Sequence, residues 1–289
     1  MTDLPPLKRI AAIHDLSGFG KCSLTIALPV ISATGVECAC IPTALLSTHT
    51  GEFDGYTFSD LSAEMLPIAG HWKREGITFD GIYSGYLASP EQGRLLETVI
   101  EMLADTETLI VVDPVMADNG EYYSGFDQRM RDVFVRLCGM AAVITPNMTE
   151  AALLTGSEYR RPPYDRAYVD TMLDRLLAIG PEIAAITGAQ LTPDETGVAA
   201  KSRKTGESYF SSHPVRPGIF HGAGDLFASA FTALLVRGAG LEQALDIAVS
   251  LVGESIERSV RRGTPRRNGV DFEGALGAYI RRVENIFER

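Results

Sequence analysis

The residues best suited to chemistry stand together at Gly222-Ala223-Gly224-Asp225, directly ahead of Leu226, Phe227, Ala230, Phe231, Leu234 and Leu235, which recur at helical spacing. A glycine turn that opens onto a helix leaves backbone N–H groups without intrahelical partners at the positive end of the helix dipole, where a phosphate can be held. A carboxylate beside such an anion site has a chemical use, which is to take the proton from a hydroxyl that attacks the phosphate. The same four residues also read as a plain helix start, with Asp225 as the cap and the glycines as the turn.

Other stretches offer acidic and amide side chains in a similar setting. The run Leu109-Ile110-Val111-Val112 leads into Asp113-Pro114 and on to Asp118-Asn119-Gly120, the pattern of a central parallel strand that delivers carboxylates to a site. Ala141–Ile144 repeats the device, followed by Thr145-Pro146-Asn147 and then Glu150 on the turn into a short helix that Gly156 ends. Two strands offering Asp and Asn/Glu at one edge form a platform for Mg²⁺ and phosphate, because Mg²⁺ prefers oxygen ligands and keeps several waters. Ile10–Ile13 is a further strand, and it ends at His14-Asp15, again where open α/β sheets place their ligands.

The elements that must position these groups alternate along the chain. Strands are predicted at Ile10–Ile13, Val36–Leu46, Phe79–Tyr86, Leu109–Gly120, Ala141–Ile144 and Ile183–Thr187. An antiparallel hairpin at Thr196–Ala200 and Glu207–Ser211 extends the sheet. Helices are expected from the glycine loop to Gly35, over about 61–75, from Pro90 to about Ala104, from Leu226 onward, at Leu241–Arg261 and at Phe272–Phe287. Such alternation gives a central, mainly parallel sheet with helices on both faces and a small antiparallel extension, in one domain. The polar stretch Ser47–Tyr56, with two glycines, has the composition of a lid or of an ordinary surface loop.

Composition narrows the function classes. The 289 residues are 45% hydrophobic, enough for a large core. A formal charge of −11 argues against a nucleic-acid or anionic-membrane surface. The N-terminal Met-Thr-Asp-Leu-Pro-Pro-Leu-Lys-Arg lacks the apolar core of a secretion signal, and no later apolar run reaches a membrane-spanning length, so a cytoplasmic protein is expected. Cys22, Cys38, Cys40 and Cys138 form no CxxC pair and read as buried reduced thiols, Cys38 and Cys40 sharing one strand face. Gly20-Lys21-Cys22 fails as a Walker loop, and Gly18-Phe19-Gly20 fails as a dinucleotide fingerprint because Ser23 stands where the third glycine belongs.

Taken together, Gly222-Ala223-Gly224-Asp225, Asp113-Pro114-Val115-Met116, Thr145-Pro146-Asn147 with Glu150, and Ser84-Gly85-Tyr86-Leu87 with Glu91-Gln92-Gly93 resemble the ribokinase-like superfamily and, within it, the pyridoxal kinases. The similarity runs in order from about Ile10 to Arg258. It implies an ATP-dependent kinase acting on the 5′-hydroxymethyl group of pyridoxal, pyridoxine or pyridoxamine. On this resemblance Asp225 is the catalytic base and the N–H groups of Gly222, Ala223 and Gly224 are the anion hole. Asp113, Asp118, Asn147 and Glu150 hold Mg²⁺, its waters and the ATP phosphates, with Asp118 and Glu150 nearest the metal, and Thr187 lies near the nucleotide. His14, Asp15, Phe19, His49, Thr50 and Tyr86 surround the pyridine ring. A homodimer and a monovalent cation such as K⁺ are implied as well.

The chain departs from that pattern at His14-Asp15-Leu16-Ser17, which is closer to the start of hydroxymethylpyrimidine kinases, and at Ala223, where Thr is commoner. A hydroxymethylpyrimidine kinase is therefore the alternative, though those enzymes often carry Cys where Asp225 stands. A sugar kinase and a non-catalytic ligand-binding homologue follow.

Overall fold

The computed structural model describes residues 6–287; the N-terminal stretch read above for a targeting signal lies partly outside them. The chain begins with β1 (Arg9–Ser17), α1 (Leu24–Ala33), β2 (Glu37–Leu46), β3 (Phe58–Asp60), α2 (Ser62–Arg74), β4 (Gly81–Ser84) and α3 (Pro90–Leu103). It continues with β5 (Leu109–Val112), β6 (Ala117–Asp118), β7 (Glu121–Tyr122), α4 (Gln128–Met140), β8 (Val143–Ile144), α5 (Met148–Thr155) and α6 (Arg166–Leu177). The last elements are β9 (Ile183–Thr187), β10 (Glu195–Ser202), β11 (Ser208–Pro214), α7 (Ala223–Val236), α8 (Leu241–Arg262) and α9 (Leu276–Phe287).

Nine strands form one sheet in the order β11-β10-β9-β8-β5-β4-β1-β2-β3. The six from β9 to β2 run parallel, while β10, β11 and β3 pair antiparallel at the edges. The predicted α/β architecture with its antiparallel extension is what the chain adopts. Strand alternation sorts side chains to two faces. Ala11, Ile13 and Ile82 pack with α2 to α6 on one face, while Ile10, Ala12 and Tyr83 pack with α1, α7, α8 and α9 on the other. Cys38 and Cys40 share that second face, as their spacing requires. All four cysteines are free, but only Cys138 is buried and the others are half-buried.

The chain winds outward from β1 to β2 and then returns to the other side of β1 to build β4, β5, β8 and β9. Strand order reverses between β1 and β4, and a parallel sheet opens a crevice beyond the carboxyl ends of its strands at such a reversal.

Several expectations need correction. The run predicted as one strand to Gly120 stops at Val112, because Pro114 cannot donate to a ladder; Ala117–Tyr122 instead makes a separate two-stranded hairpin. Phe272–Ala275 is a hydrogen-bonded turn, so the last helix starts at Leu276 rather than Phe272. Helices α4 and α6 and strand β3 are additional to the sequence reading. Among the described residues no helix is long and apolar enough to cross a membrane.

Candidate active site

The start of α7 is shaped by close approach. Gly222 is left-handed at φ 78°, and a Cβ there would lie 2.3 Å from the Lys21 carbonyl oxygen and 2.6 Å from Ile26. Only glycine meets both demands. Gly224 is exposed, with open space where a Cβ would stand. Of the N–H groups expected to form an anion hole, that of Ala223 donates to the Phe220 carbonyl at 3.2 Å. In the first turn that leaves the N–H groups of Gly224 and Asp225, which have no intrahelical acceptor.

Asp225 is half-buried in that first turn. Burial pushes its carboxyl up to about 7, with the charge of Asp15 acting the same way and the Ser23 N–H opposing. Asp113 follows β5 and is buried, accepting the Thr145 hydroxyl at 3.0 Å. Burial and the neighbouring Asp225 raise it to about 8. The charge of Asp225 thus acts on Asp113, and an added cation would stabilise both carboxyls as anions. That donor set fits a Mg²⁺ that arrives with nucleotide phosphates and is held by one or two carboxylates, rather than one caged by protein alone.

Glu150 and Asp118, the expected metal ligands, sit in different settings. Glu150 is buried; its Oε1 accepts the Met116 N–H at 3.0 Å and its Oε2 accepts the Asn147 N–H at 2.8 Å. Asn147 closes the reciprocal cap by accepting the Glu150 N–H at 2.9 Å, and its amide donates to the Ala117 carbonyl at 2.8 Å. This capping box ties the start of α5 to the β6 segment. Asp118 is exposed and accepts both the backbone and the side-chain N–H of Asn119. Among the described residues no three His, Cys, Asp or Glu side chains converge as a metal cluster. Thr187 ends β9 and bridges to Asn147, so it lies at the same sheet edge. Tyr123, absent from the sequence reading, is 39% exposed, and desolvation together with the charges of Glu150, Asp118, Asp113 and Asp225 raises its hydroxyl above the usual range.

On the other side of the reversal, Asp15 sits where the β1–β2 register slips between His14 and Leu16, the kind of irregularity that re-aims a side chain. It accepts the Ser17 hydroxyl at 2.8 Å, and burial raises its pKa. Tyr86 stacks on Phe126 with centroids 5.7 Å apart and planes 24° apart, and both Asp15 and burial push its hydroxyl up to about 12. A flat ring would find a platform there beside a carboxylate.

The other four residues expected around that ring differ in their settings. His14 is fully buried in the sheet, edge-on to Tyr83 at 4.3 Å, and burial lowers its pKa to about 3, so it packs as a neutral core side chain. His49 accepts the Gly51 N–H at Nδ1 and lies 2.7 Å from the Arg267 carbonyl through Nε2. The first contact leaves the proton on Nε2, so both ring nitrogens bind protein. Thr50 is exposed. Phe19 is 52% exposed and meets Phe53 edge-on at 6.0 Å, lining a cavity of about 550 Å³ with Lys21, Asn268 and Phe272.

A match to the family described as phosphomethylpyrimidine kinase spans residues 27–269. The chain belongs to the phosphomethylpyrimidine kinase family. It is thus an ATP-dependent small-molecule kinase of ribokinase-like fold. A Bacteroides thetaiotaomicron member solved with pyridoxal shares 35% identity, covering 95% of this chain and 96% of its own, at TM-score 0.87. A pyridoxal kinase from Lactobacillus plantarum shares 33% identity over 97% of this chain and 99% of its own, also at TM-score 0.87. A pyridoxine/pyridoxal/pyridoxamine kinase from Bordetella avium is 30% identical over 260 residues, 84% of this chain and 82% of its own. Open α/β sheets bind their ligands in the crevice outside the carboxyl ends of the strands, the edge at which these residues stand.

Proposed function

We propose that this protein transfers the γ-phosphoryl group of ATP to the 5′-hydroxymethyl group of pyridoxal, pyridoxine or pyridoxamine. One observation carries the reading: Asp225 combines a place in the first turn of α7 with a pKa raised to about 7, which suits a general base at neutral pH. The base takes the proton of the attacking hydroxyl, while the N–H groups of Gly224 and Asp225 face the transferring phosphoryl. Asp113 would hold a Mg²⁺ that arrives with the nucleotide, and that ion would supply charge neutralisation at the phosphates. Asp15 and the Tyr86–Phe126 stack receive the ring, and the 35% identical relative solved with pyridoxal supports that choice. Glu150, Asn147 and Thr187 shape the nucleotide side by fixing the backbone between β6 and β9.

A hydroxymethylpyrimidine is the second reading, favoured by the carboxylate of Asp15 at the end of β1 and by the family's description. A cytoplasmic homodimer and a K⁺ requirement belong to the first reading, and light scattering and assays with and without K⁺ test the dimer and the cation.

The deciding experiment supplies purified protein with Mg-ATP and, in turn, the three B6 vitamers and hydroxymethylpyrimidine. Phosphorylation of a vitamer is expected, and Asp225→Asn is expected to lower kcat by about 10²- to 10⁴-fold. Turnover of hydroxymethylpyrimidine alone overturns the substrate, and full activity in Asp225→Asn overturns the base.

A further inference from the structure

His221 stands immediately ahead of Gly222, and its side chain is where the 47–57 loop meets the start of α7. Its ring lies 4.9 Å from that of His49, centroid to centroid, with the planes tilted by 39°. Gly51 comes closer still: a Cβ there would stand 2.7 Å from His221 Cε1, so glycine at this position is what admits the imidazole. A Cβ on Gly20 would likewise overlap the ring of His49. Two glycines thus make room for two adjoining rings.

The rings are held from several directions. His49 accepts the Gly51 N–H at Nδ1, contacts the Arg267 carbonyl through Nε2 and gives its own backbone N–H to the Phe19 carbonyl at 3.3 Å. The His221 carbonyl accepts the Val270 N–H at 3.2 Å, and the next residue, Gly222, packs against the Lys21 carbonyl, so the backbone that carries His221 is fixed on both sides. Its Nε2, by contrast, is buried without a hydrogen-bond partner among the described residues. Glu52 Oε2 lies 3.8 Å away, beyond hydrogen-bond reach. Burial lowers the pKa of His221, with His49 acting the same way and Glu52 opposing, so at neutral pH the ring is uncharged and draws no full ion pair from Glu52. The contact between loop and turn is therefore one of shape and packing, and it depends on where the turn holds the ring.

We propose that His221 is a positioning residue that couples the 47–57 loop to the 222–225 turn, so that a nucleotide phosphate bound at the turn steadies the loop on the ring-binding side of the crevice. An anion on the Gly224 and Asp225 N–H groups fixes the backbone from which His221 projects. With the turn fixed, His221 is a wall against which Gly51 and His49 close; with the turn free, the loop loses that wall. The loop follows β2, which pairs with β1, the strand that carries Asp15. Coupling of this kind is reciprocal, so a ring substrate that steadies the loop tightens nucleotide binding by the same factor. The inference rests on the reading of the α7 start as the phosphate site.

The test follows backbone hydrogen exchange of the 47–57 loop and of the 222–227 turn in wild type, His221→Ala and His221→Phe, each with and without Mg²⁺ and a non-hydrolysable ATP analogue. In the wild type the nucleotide is expected to slow exchange in the turn and also in the loop, the latter by about two- to tenfold, the equivalent of one aromatic contact. His221→Ala should keep the protection of the turn and lose that of the loop. His221→Phe, which keeps a ring in place, should retain both, an outcome that a general loosening of the fold would not give. Loop protection that is absent from the wild type, that survives in His221→Ala or that is lost in His221→Phe overturns the inference. The underlying reading is told apart by the turn: a nucleotide that binds without protecting it puts the phosphate site elsewhere, and the coupling falls with that reading, whereas protection of the turn alone leaves the phosphate site standing and removes only the role of His221.

Discussion

The two sides of the crevice solve the same packing problem in opposite ways. On the β5–β8 side the polar groups are paired through regular backbone: Thr145 to Asp113, Glu150 to Met116 and Asn147, and Asn147 to Ala117. On the β1 side the backbone is more often unusual, with Lys21, Ser23 and Glu52 at positive φ against Asn119 beyond β5, and aromatic contacts join the loops, Phe19 and His49 both meeting Phe53. A buried carboxylate that accepts N–H groups is a stability device, whereas strained loops and edge-on rings shape a cavity at the expense of stability. Residues gathered at one sheet edge thus divide into a frame and a contact surface.

Glu150→Ala is the largest test of that division. It strips the Met116 and Asn147 N–H groups of their acceptor in a buried setting, and should destabilise the fold by about 2–4 kcal/mol in urea unfolding. If its stability matches wild type while Mg²⁺ dependence alone changes, Glu150 is a ligand and the frame reading fails.

Next in size is a pH effect. Asp225 and Asp113, at about 7 and about 8, titrate above their ordinary value of 3.8, so the folded state binds more protons than the unfolded chain between those limits. Stability of the ligand-free protein is therefore fully present below about pH 4 as far as these groups are concerned, and declines as pH rises through 7 to 8. Melting temperatures measured from pH 5 to 8.5 should fall, and Mg²⁺ with nucleotide should flatten the slope by favouring the ionised pair. A melting temperature that rises over that range in the ligand-free protein shows that other groups dominate.

The legibility of the two sides in the sequence differs for a related reason. Strand ends and glycine turns are local, so the sheet, its parallel core and the α7 start follow from hydrophobic runs and Gly222. The amphipathic spacing of Met130, Val133, Phe134 and Leu137 behind Asp127 carries α4 equally well, and was available as a helix signal. What residue types do not carry is the direction of a side chain. His14 has the type of a catalytic residue, but β1 is covered on both faces and turns it into the core. His49 binds the carbonyl of Arg267, 218 positions away, a contact that no local spacing encodes. Phe126 and Tyr123 are not legible in the sequence because a loop aromatic carries no motif of its own.

The smallest effect bears on the contact surface alone. Phe53 meets His49 at 5.0 Å and Phe19 at 6.0 Å, and the Arg267 guanidinium lies 5.3 Å from its ring, so one aromatic joins the 47–57 loop to the loop after β1 and to the turn at Arg266–Asn268. Aromatic pairs of this kind contribute about 0.5–1.5 kcal/mol, which corresponds to roughly two- to tenfold in an equilibrium. Since no strand or helix of the frame depends on Phe53, Phe53→Ala should weaken loop closure rather than the fold. KM for the ring substrate should rise by about two- to tenfold, KM for ATP should hold, and the urea midpoint should move little. Were Phe53→Ala to lower the urea midpoint as much as Glu150→Ala does, the β1 side would be part of the frame after all, and the division between the two sides of the crevice would not stand.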